Sequence, residues 1–150
     1  MPLKRLFHLL GYSVIMNLMK LDIKSVMTSC PYKIQADASV DEAISTMELR
    51  GIRHLPIEKD GELIGIVSLT SARVSKAVCD SLSYCPNVGE IAQTEPLIFQ
   101  ENESLAKAAK VMAEKKEDCA LVGNSDGDVT GIFTVTDCLK VLAMVLEDRK

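Results

Sequence analysis

The sequence predicts an α+β protein: two β-α-β-β-α repeats packed as a pseudo-twofold pair, preceded by an N-terminal helix. Three observations predict it. The chain matches itself at a nearly constant offset, each half carries a serine ahead of helical apolar periodicity, and each half then has two short apolar runs parted by Asp-Gly.

The offset is read directly. At a shift of 65, Pro31 meets Pro96, Gln35 meets Gln100, Ser39 meets Ser104, Ala43 meets Ala108 and Met47 meets Met112. One inserted residue makes the shift 66, and then Asp60-Gly61 meets Asp126-Gly127, Gly65-Ile66 meets Gly131-Ile132, and Thr70 meets Thr136. A unit of roughly 55 residues builds a core poorly alone, so the copies should pack on each other.

Within each copy, Ile34 and Phe99 end short extended segments that follow a proline. Ser39 and Ser104 can each cap a helix by accepting a free backbone N–H, and Glu42 completes a capping-box pattern with Ser39. The helices should run to about Arg50 and Lys116, the first burying Val40, Ala43, Ile44 and Met47 on one face. Strands are predicted at 54–58 and 119–123, hairpin turns at Asp60-Gly61 and Asp126-Gly127, and return strands at 63–68 and 129–134. A second helix should open after Thr70 and after Asp137. A polar linker near 81–87 holds Pro86, so the boundaries are read as 1–20 for the extension, 21–80 for the first copy and 81–150 for the second.

Composition bounds the function. With 47% hydrophobic and 25% charged residues, the chain has enough apolar surface to offset its conformational entropy, which excludes disorder as its main state. Seventeen basic residues against twenty-one acidic ones give a net charge of -4. No general attraction to nucleic acid or anionic lipid follows from that balance, and any bound anion must be held by local geometry.

The five cysteines, Cys30, Cys79, Cys85, Cys119 and Cys138, form no CxxC, and His8 and His54 lie far from any cysteine pair. They read as reduced, small hydrophobes in a cytoplasmic protein with no metal site. A Cys79–Cys85 disulfide is conceivable, though nothing in the spacing requires it. The methionines read as core filler.

Residues 2–20 have Lys4 and Arg5 ahead of an apolar run, but no small-x-small cleavage site follows. The run is too short and too interrupted to span a membrane. Leu3, Leu6, Leu10, Val14, Leu18 and Leu21 recur at three- or four-residue spacing, which reads as an amphipathic helix whose apolar face needs the rest of the chain or a second subunit. A start at Met16 or Met19 is the other reading.

VMTSCPYKI, IRHLPI, DGELIGIVS and DGDVTGIFTVTD together carry a family resemblance. The unit resembles the cystathionine-β-synthase (CBS) domain and the tandem pair resembles a Bateman module, over about residues 22–145. The resemblance implies two clefts between the copies that take AMP, ADP, ATP or S-adenosyl compounds and pass a shape change to a partner. It implies that the Gly-hydrophobic-hydrophobic-Ser/Thr-x-Ser/Thr-Asp ending of one copy holds a ribose. The proline segment and the basic motif of the other copy would hold base and phosphates.

Carried onto this chain, the first cleft joins Ile132, Thr134, Thr136 and Asp137 to Pro31, Tyr32, Ile52, Arg53, His54 and Pro56. A carboxylate can accept both ribose hydroxyls, a guanidinium offers forked donors to phosphate, and an aromatic ring can stack on a base. The second cleft joins Ser68, Thr70 and Ser71 to Pro96, Leu97, Glu117, Asp118 and Cys119, so its ribose acid is Ser71 and its basic pair is replaced by Asp118 and Cys119 beside Glu117. One nucleotide per chain, in the first cleft, is therefore expected. Asp137 as nothing more than a helix cap is the competing reading.

No GxSxG, HExxH or Walker loop occurs, so no catalytic role is expected. A structural dimerisation module without ligand is the alternative function. A homodimer through Val74, Ala77, Val78, Val141, Leu142 and Val145, and an effector on a separate chain, complete the expectation, with neither nucleic acid nor membrane as partner.

Overall fold

The computed structural model describes residues 20–29, 31–81 and 83–147. The helix predicted for residues 1–20 lies outside the described residues, apart from Lys20. The order is a 3-10 turn at Ile23–Ser25, β1 (Thr28–Ser29), β2 (Ile34–Gln35), α1 (Val40–Arg50), β3 (His54–Lys59), β4 (Glu62–Ser68) and α2 (Leu69–Cys79). It continues with β5 (Ile98–Gln100), α3 (Leu105–Lys115), β6 (Cys119–Gly123), β7 (Val129–Thr134) and α4 (Val135–Glu147). The α+β repeat of the sequence analysis is thus observed twice.

The chain packs into two units. In one, β2 runs parallel to β3 and β3 antiparallel to β4; in the other, β5 runs parallel to β6 and β6 antiparallel to β7, with β1 added against β7. Residues 20–29 belong with 97–147, and residues 31–96 form the other unit. The sequence halves and the packing units therefore divide the chain differently. The segment that precedes each copy packs on the opposite one.

The exchange is reciprocal and keeps the repeat's offset. Thr28 pairs with Ile132 and Gln93 pairs with Ile66; Asp22 bridges Ser104 and Asn87 bridges Ser39. Ile23 and Val88, at equivalent positions, are fully buried in their respective cores. Asp22 Oδ1 accepts the Ser25 N–H and Asn87 Oδ1 accepts the Glu90 N–H, so each entering segment turns on its own Asx cap. The stretch read as a linker is in this way part of a core from Asn87 onward.

Apolar positions at helical and strand spacing build two separate cores. Val40, Ala43 and Met47 of α1 meet Leu55, Ile57, Val67, Ala72 and Val88, with Ile44 partly buried beside them. Leu105, Ala108 and Met112 of α3 meet Ile23, Phe99, Ala120, Val122 and Phe133. Ser39 and Ser104 cap α1 and α3 through the N–H groups of Glu42 and Lys107, as expected. Gly61 and Gly127 take positive φ at the hairpin turns, and Asp60 does as well.

Two expectations need correction. The second helices open at Leu69 and Val135, not after Thr70 and Asp137, because Ser68 and Thr134 are the caps and Ser71 and Asp137 reach back from the third helical position. Cys79 and Cys85 are joined in a disulfide rather than both reduced, since the turn after α2 brings their Cα atoms to 4.8 Å. No helix among the described residues is long and apolar enough to cross a membrane.

Candidate functional site

Asp137 is the charged side chain with the most unusual setting. It is 6% exposed, the one buried charged residue among those described. The chain turns from β7 into α4 at Thr134, whose hydroxyl accepts the Asp137 N–H at 3.4 Å. In return Asp137 Oδ2 accepts the Thr134 N–H at 3.0 Å and its hydroxyl at 2.8 Å, while Oδ1 faces the Lys140 ammonium at 3.4 Å. This is a capping box with a full negative charge at the positive end of a helix. Thr136 is exposed in the same first turn, and Ile132 is buried two residues before the cap.

The equivalent corner of the other unit has the same frame without the charge. Ser68 Oγ accepts the Ser71 N–H at 3.0 Å, and Ser71 Oγ accepts the Ser68 N–H at 3.2 Å. Thr70 is exposed beside it. The divergence read in the sequence thus falls on one atom group at matching positions.

Each corner touches the start of its own copy's first hairpin strand. Leu69 N–H donates to the Arg53 carbonyl at 2.8 Å, and His54 pairs with Ser68; Val135 N–H donates to the Asp118 carbonyl at 3.0 Å, and Cys119 pairs with Thr134. Asp137 therefore shares its corner with Asp118 and Cys119, and with Lys140 as the facing cation. Burial, with help from the negative charges of Asp118, Asp137 and Glu117, pushes the Cys119 thiol up to about 12.

The residues expected to hold base and phosphate gather in the other unit. Arg53 is exposed at the entry to β3, Ile52 and His54 on either side are half-buried, and Pro56 is buried. Pro31 is half-buried next to Tyr32, which is 53% exposed. Sequence reasoning missed Arg50. This last residue of α1 places its guanidinium carbon 3.4 Å from the centroid of the Tyr32 ring. A signal existed, since Arg50 precedes the helix-ending Gly51, but nothing in the linear sequence links it to Tyr32. Lys33 is held by Glu58 at 2.8 Å. The structure thus groups Pro31, Tyr32, Ile52, Arg53, His54 and Pro56 in one unit and Ile132, Thr134, Thr136 and Asp137 in the other.

Among the described residues, no group of three or more His, Cys, Asp or Glu side chains is placed to hold a metal ion. The model for the CBS domain matches residues 23–73 and again 88–144. The chain belongs to the CBS domain family. Both matches begin at the exchanged residues Ile23 and Val88, so the family unit includes the segment that crosses between packing units.

Among relatives, a homoserine O-acetyltransferase of Methanocorpusculum labreanum is 30% identical over 126 residues, covering 83% of this chain and 25% of its own. A CBS domain-containing protein of Dictyostelium discoideum is 26% identical, covering 86% of this chain and 96% of its own. This CBS pair spans about a quarter of the acetyltransferase and nearly all of the Dictyostelium protein.

Two solved CBS pairs share the fold. CBSX2 of Arabidopsis thaliana, solved with AMP, superimposes with a TM-score of 0.70 at 24% identity over 86% of this chain and 98% of its own. The CBS domain pair of protein MJ0100, solved with 5′-methylthioadenosine and S-adenosyl-L-methionine, gives 0.73 at 22% identity over 82% and 96%.

Proposed function

We propose that this CBS pair is a non-catalytic regulatory module that senses one adenine nucleotide, AMP, ADP or ATP, or an S-adenosyl compound, per chain. The observation that carries the reading is Asp137. Burial of a carboxylate is costly unless it is hydrogen-bonded, and here the Thr134 box holds it in place as an acceptor. A ribose diol would add two charge-assisted bonds to it, each worth about 1.5–3 kcal/mol. Within its own unit the cation beside Asp137 is Lys140, at 3.4 Å. Arg53 for phosphate and Tyr32 for the base are the roles that the family resemblance implies. AMP in CBSX2 and S-adenosyl-L-methionine in the MJ0100 pair support the ligand class.

The Ser68–Ser71 corner lacks the carboxylate and is assigned no nucleotide. Calorimetric titration with AMP, ADP, ATP and S-adenosylmethionine tests the reading. Saturable binding of one ligand per chain is expected, and no heat with any of the four would overturn it in favour of a structural dimerisation module.

The output goes to a separate effector or to a second copy. Val135, Leu139, Leu142 and Leu146 of α4 are exposed at four-, three- and four-residue spacing, as are Val74 and Val78 of α2, whereas Val141 turns into the core. A homodimer that covers the exposed row of α4 fits a twofold interface, in which one patch meets itself. Sedimentation should show twice the chain mass, lost on Leu139→Glu. That a similar pair forms a quarter of an acetyltransferase and most of the Dictyostelium protein suits a module whose effector is not fixed.

A further inference from the structure

The Cys79–Cys85 disulfide lies outside the nucleotide reading and stands independently of it. It joins the last residue of α2 to a residue six positions on, just before the segment that returns through Asn87, Val88 and Gln93. Its two ends differ. Cys79 is buried against the unit, whereas Cys85 is exposed.

We propose that this bridge is a thiol–disulfide exchange site, opened by a dithiol reductant, that controls how firmly the turn between α2 and Asn87 is held to its unit. Attack is directed by access, and exposed bridges are the exchangeable ones. A thiolate of the reductant attacks Cys85 Sγ, the S–S bond breaks, and Cys79 leaves as a thiolate that takes a proton from water. The second thiol of the reductant then attacks the sulfur it has bound to Cys85. Cys85 leaves as a thiolate and is protonated, two electrons have passed to the protein, and the reductant is a disulfide.

Three features make the step consequential and reversible. First, the bridge anchors the turn between α2 and Asn87, whereas from Val88 onward the chain has its own hold: the N–H groups of Val88 and Gly89 donate to Ala38 and Ala36, Ile66 and Gln93 exchange N–H bonds, Val88 is buried, and Ile91 and Ala92 pack on the core. Tyr84 and Asn87 donate to Glu90 within the segment itself and do not tie it to the unit. Second, the thiols stay close in sequence after opening, so the ring closes again with little loop entropy to overcome. Third, neither other described cysteine competes. Cys119 is buried with its thiol pushed up to about 12, and burial also raises the partly buried Cys138 thiol.

The test treats the air-oxidised full chain with iodoacetamide under native conditions, with and without prior dithiothreitol, and maps the alkylated peptides. Cys79 and Cys85 should be labelled only after dithiothreitol. Reduction should lower Tm by roughly 5–15 °C and speed tryptic cleavage at Lys76 or chymotryptic cleavage at Tyr84 severalfold. Cys85→Ser, an exposed substitution that spares the core, should match the reduced protein and ignore the reductant. The proposal is overturned if both cysteines are labelled without reductant, if dithiothreitol opens the bridge only in denaturant, or if oxidised and reduced protein melt and digest alike.

Discussion

Asp137 and Thr134 hold each other: the carboxylate accepts the threonine N–H and hydroxyl at 3.0 and 2.8 Å, and the threonine hydroxyl accepts the aspartate N–H at 3.4 Å. One acid thus serves the helix and, in the proposed reading, the ligand. Those two roles separate by substitution. Asp137→Ala removes the box, so it should cost about 1 kcal/mol of stability and weaken nucleotide binding about ten- to a hundredfold. Asp137→Asn keeps an oxygen for the Thr134 N–H, so Tm should stay near wild type while affinity still falls. Thermal melts beside calorimetry check both.

Ser71→Ala is the matched control. It breaks the Ser68–Ser71 box and should lower Tm by an amount similar to Asp137→Ala, with no change in nucleotide affinity. Equal loss of affinity in both variants would show that the two corners are not functionally distinct.

Gly65 and Gly131 occupy equivalent strand positions but face different neighbours. A Cβ at Gly65 would lie 2.5 Å from the Gln93 carbonyl oxygen, part of the returning backbone, whereas one at Gly131 would fall on the Met27 side chain, which can move. Both alanine variants should be destabilised, by about 1–3 kcal/mol, with Gly65→Ala the worse. Denaturant melts give the order.

The raised Cys119 thiol makes stability depend on alkaline pH. Below the ordinary thiol value of 9.0 both states are protonated and nothing is lost; above it the unfolded chain ionises while the folded thiol, at about 12, does not. Stability should therefore fall between pH 9 and about 12, by up to about 1.4 kcal/mol per pH unit. Comparing wild type with Cys119→Ala across that window isolates the effect, since the variant lacks this part of the slope.

The Arg50–Tyr32 stack is exposed, so its coupling should be small. A double-mutant cycle with Arg50→Ala and Tyr32→Ala should give about 0.5–1 kcal/mol.

Much of this was legible in the sequence because its signals are local. Ser39 and Ser104 announce helix starts, Asp60-Gly61 and Asp126-Gly127 announce hairpins, and the repeat makes each half a check on the other. The chemical difference between Asp137 and Ser71 was equally plain. The unread features are those that join distant or weakly patterned residues. The exchange of Ile23 and Val88 into opposite cores is invisible because each sits in a short polar-flanked segment with no periodicity of its own. Both had a signal in hindsight: Asp22-Ile23 and Asn87-Val88 keep the same offset as Pro31 and Pro96. The helix starts were set late because Thr70 and Asp137 look like caps, and only the backbone shows Ser68 and Thr134 in that place. Arg50 over Tyr32 depends on where α1 ends relative to a loop, which spacing does not encode.

The most direct test of the central claim is parallel titration of wild type, Asp137→Asn and Ser71→Ala with AMP, ATP and S-adenosylmethionine. The account requires a single bound ligand per wild-type chain, affinity lost in Asp137→Asn, and affinity retained in Ser71→Ala. Binding that ignores the Asp137 charge, or a second equivalent molecule at the serine corner, would contradict it.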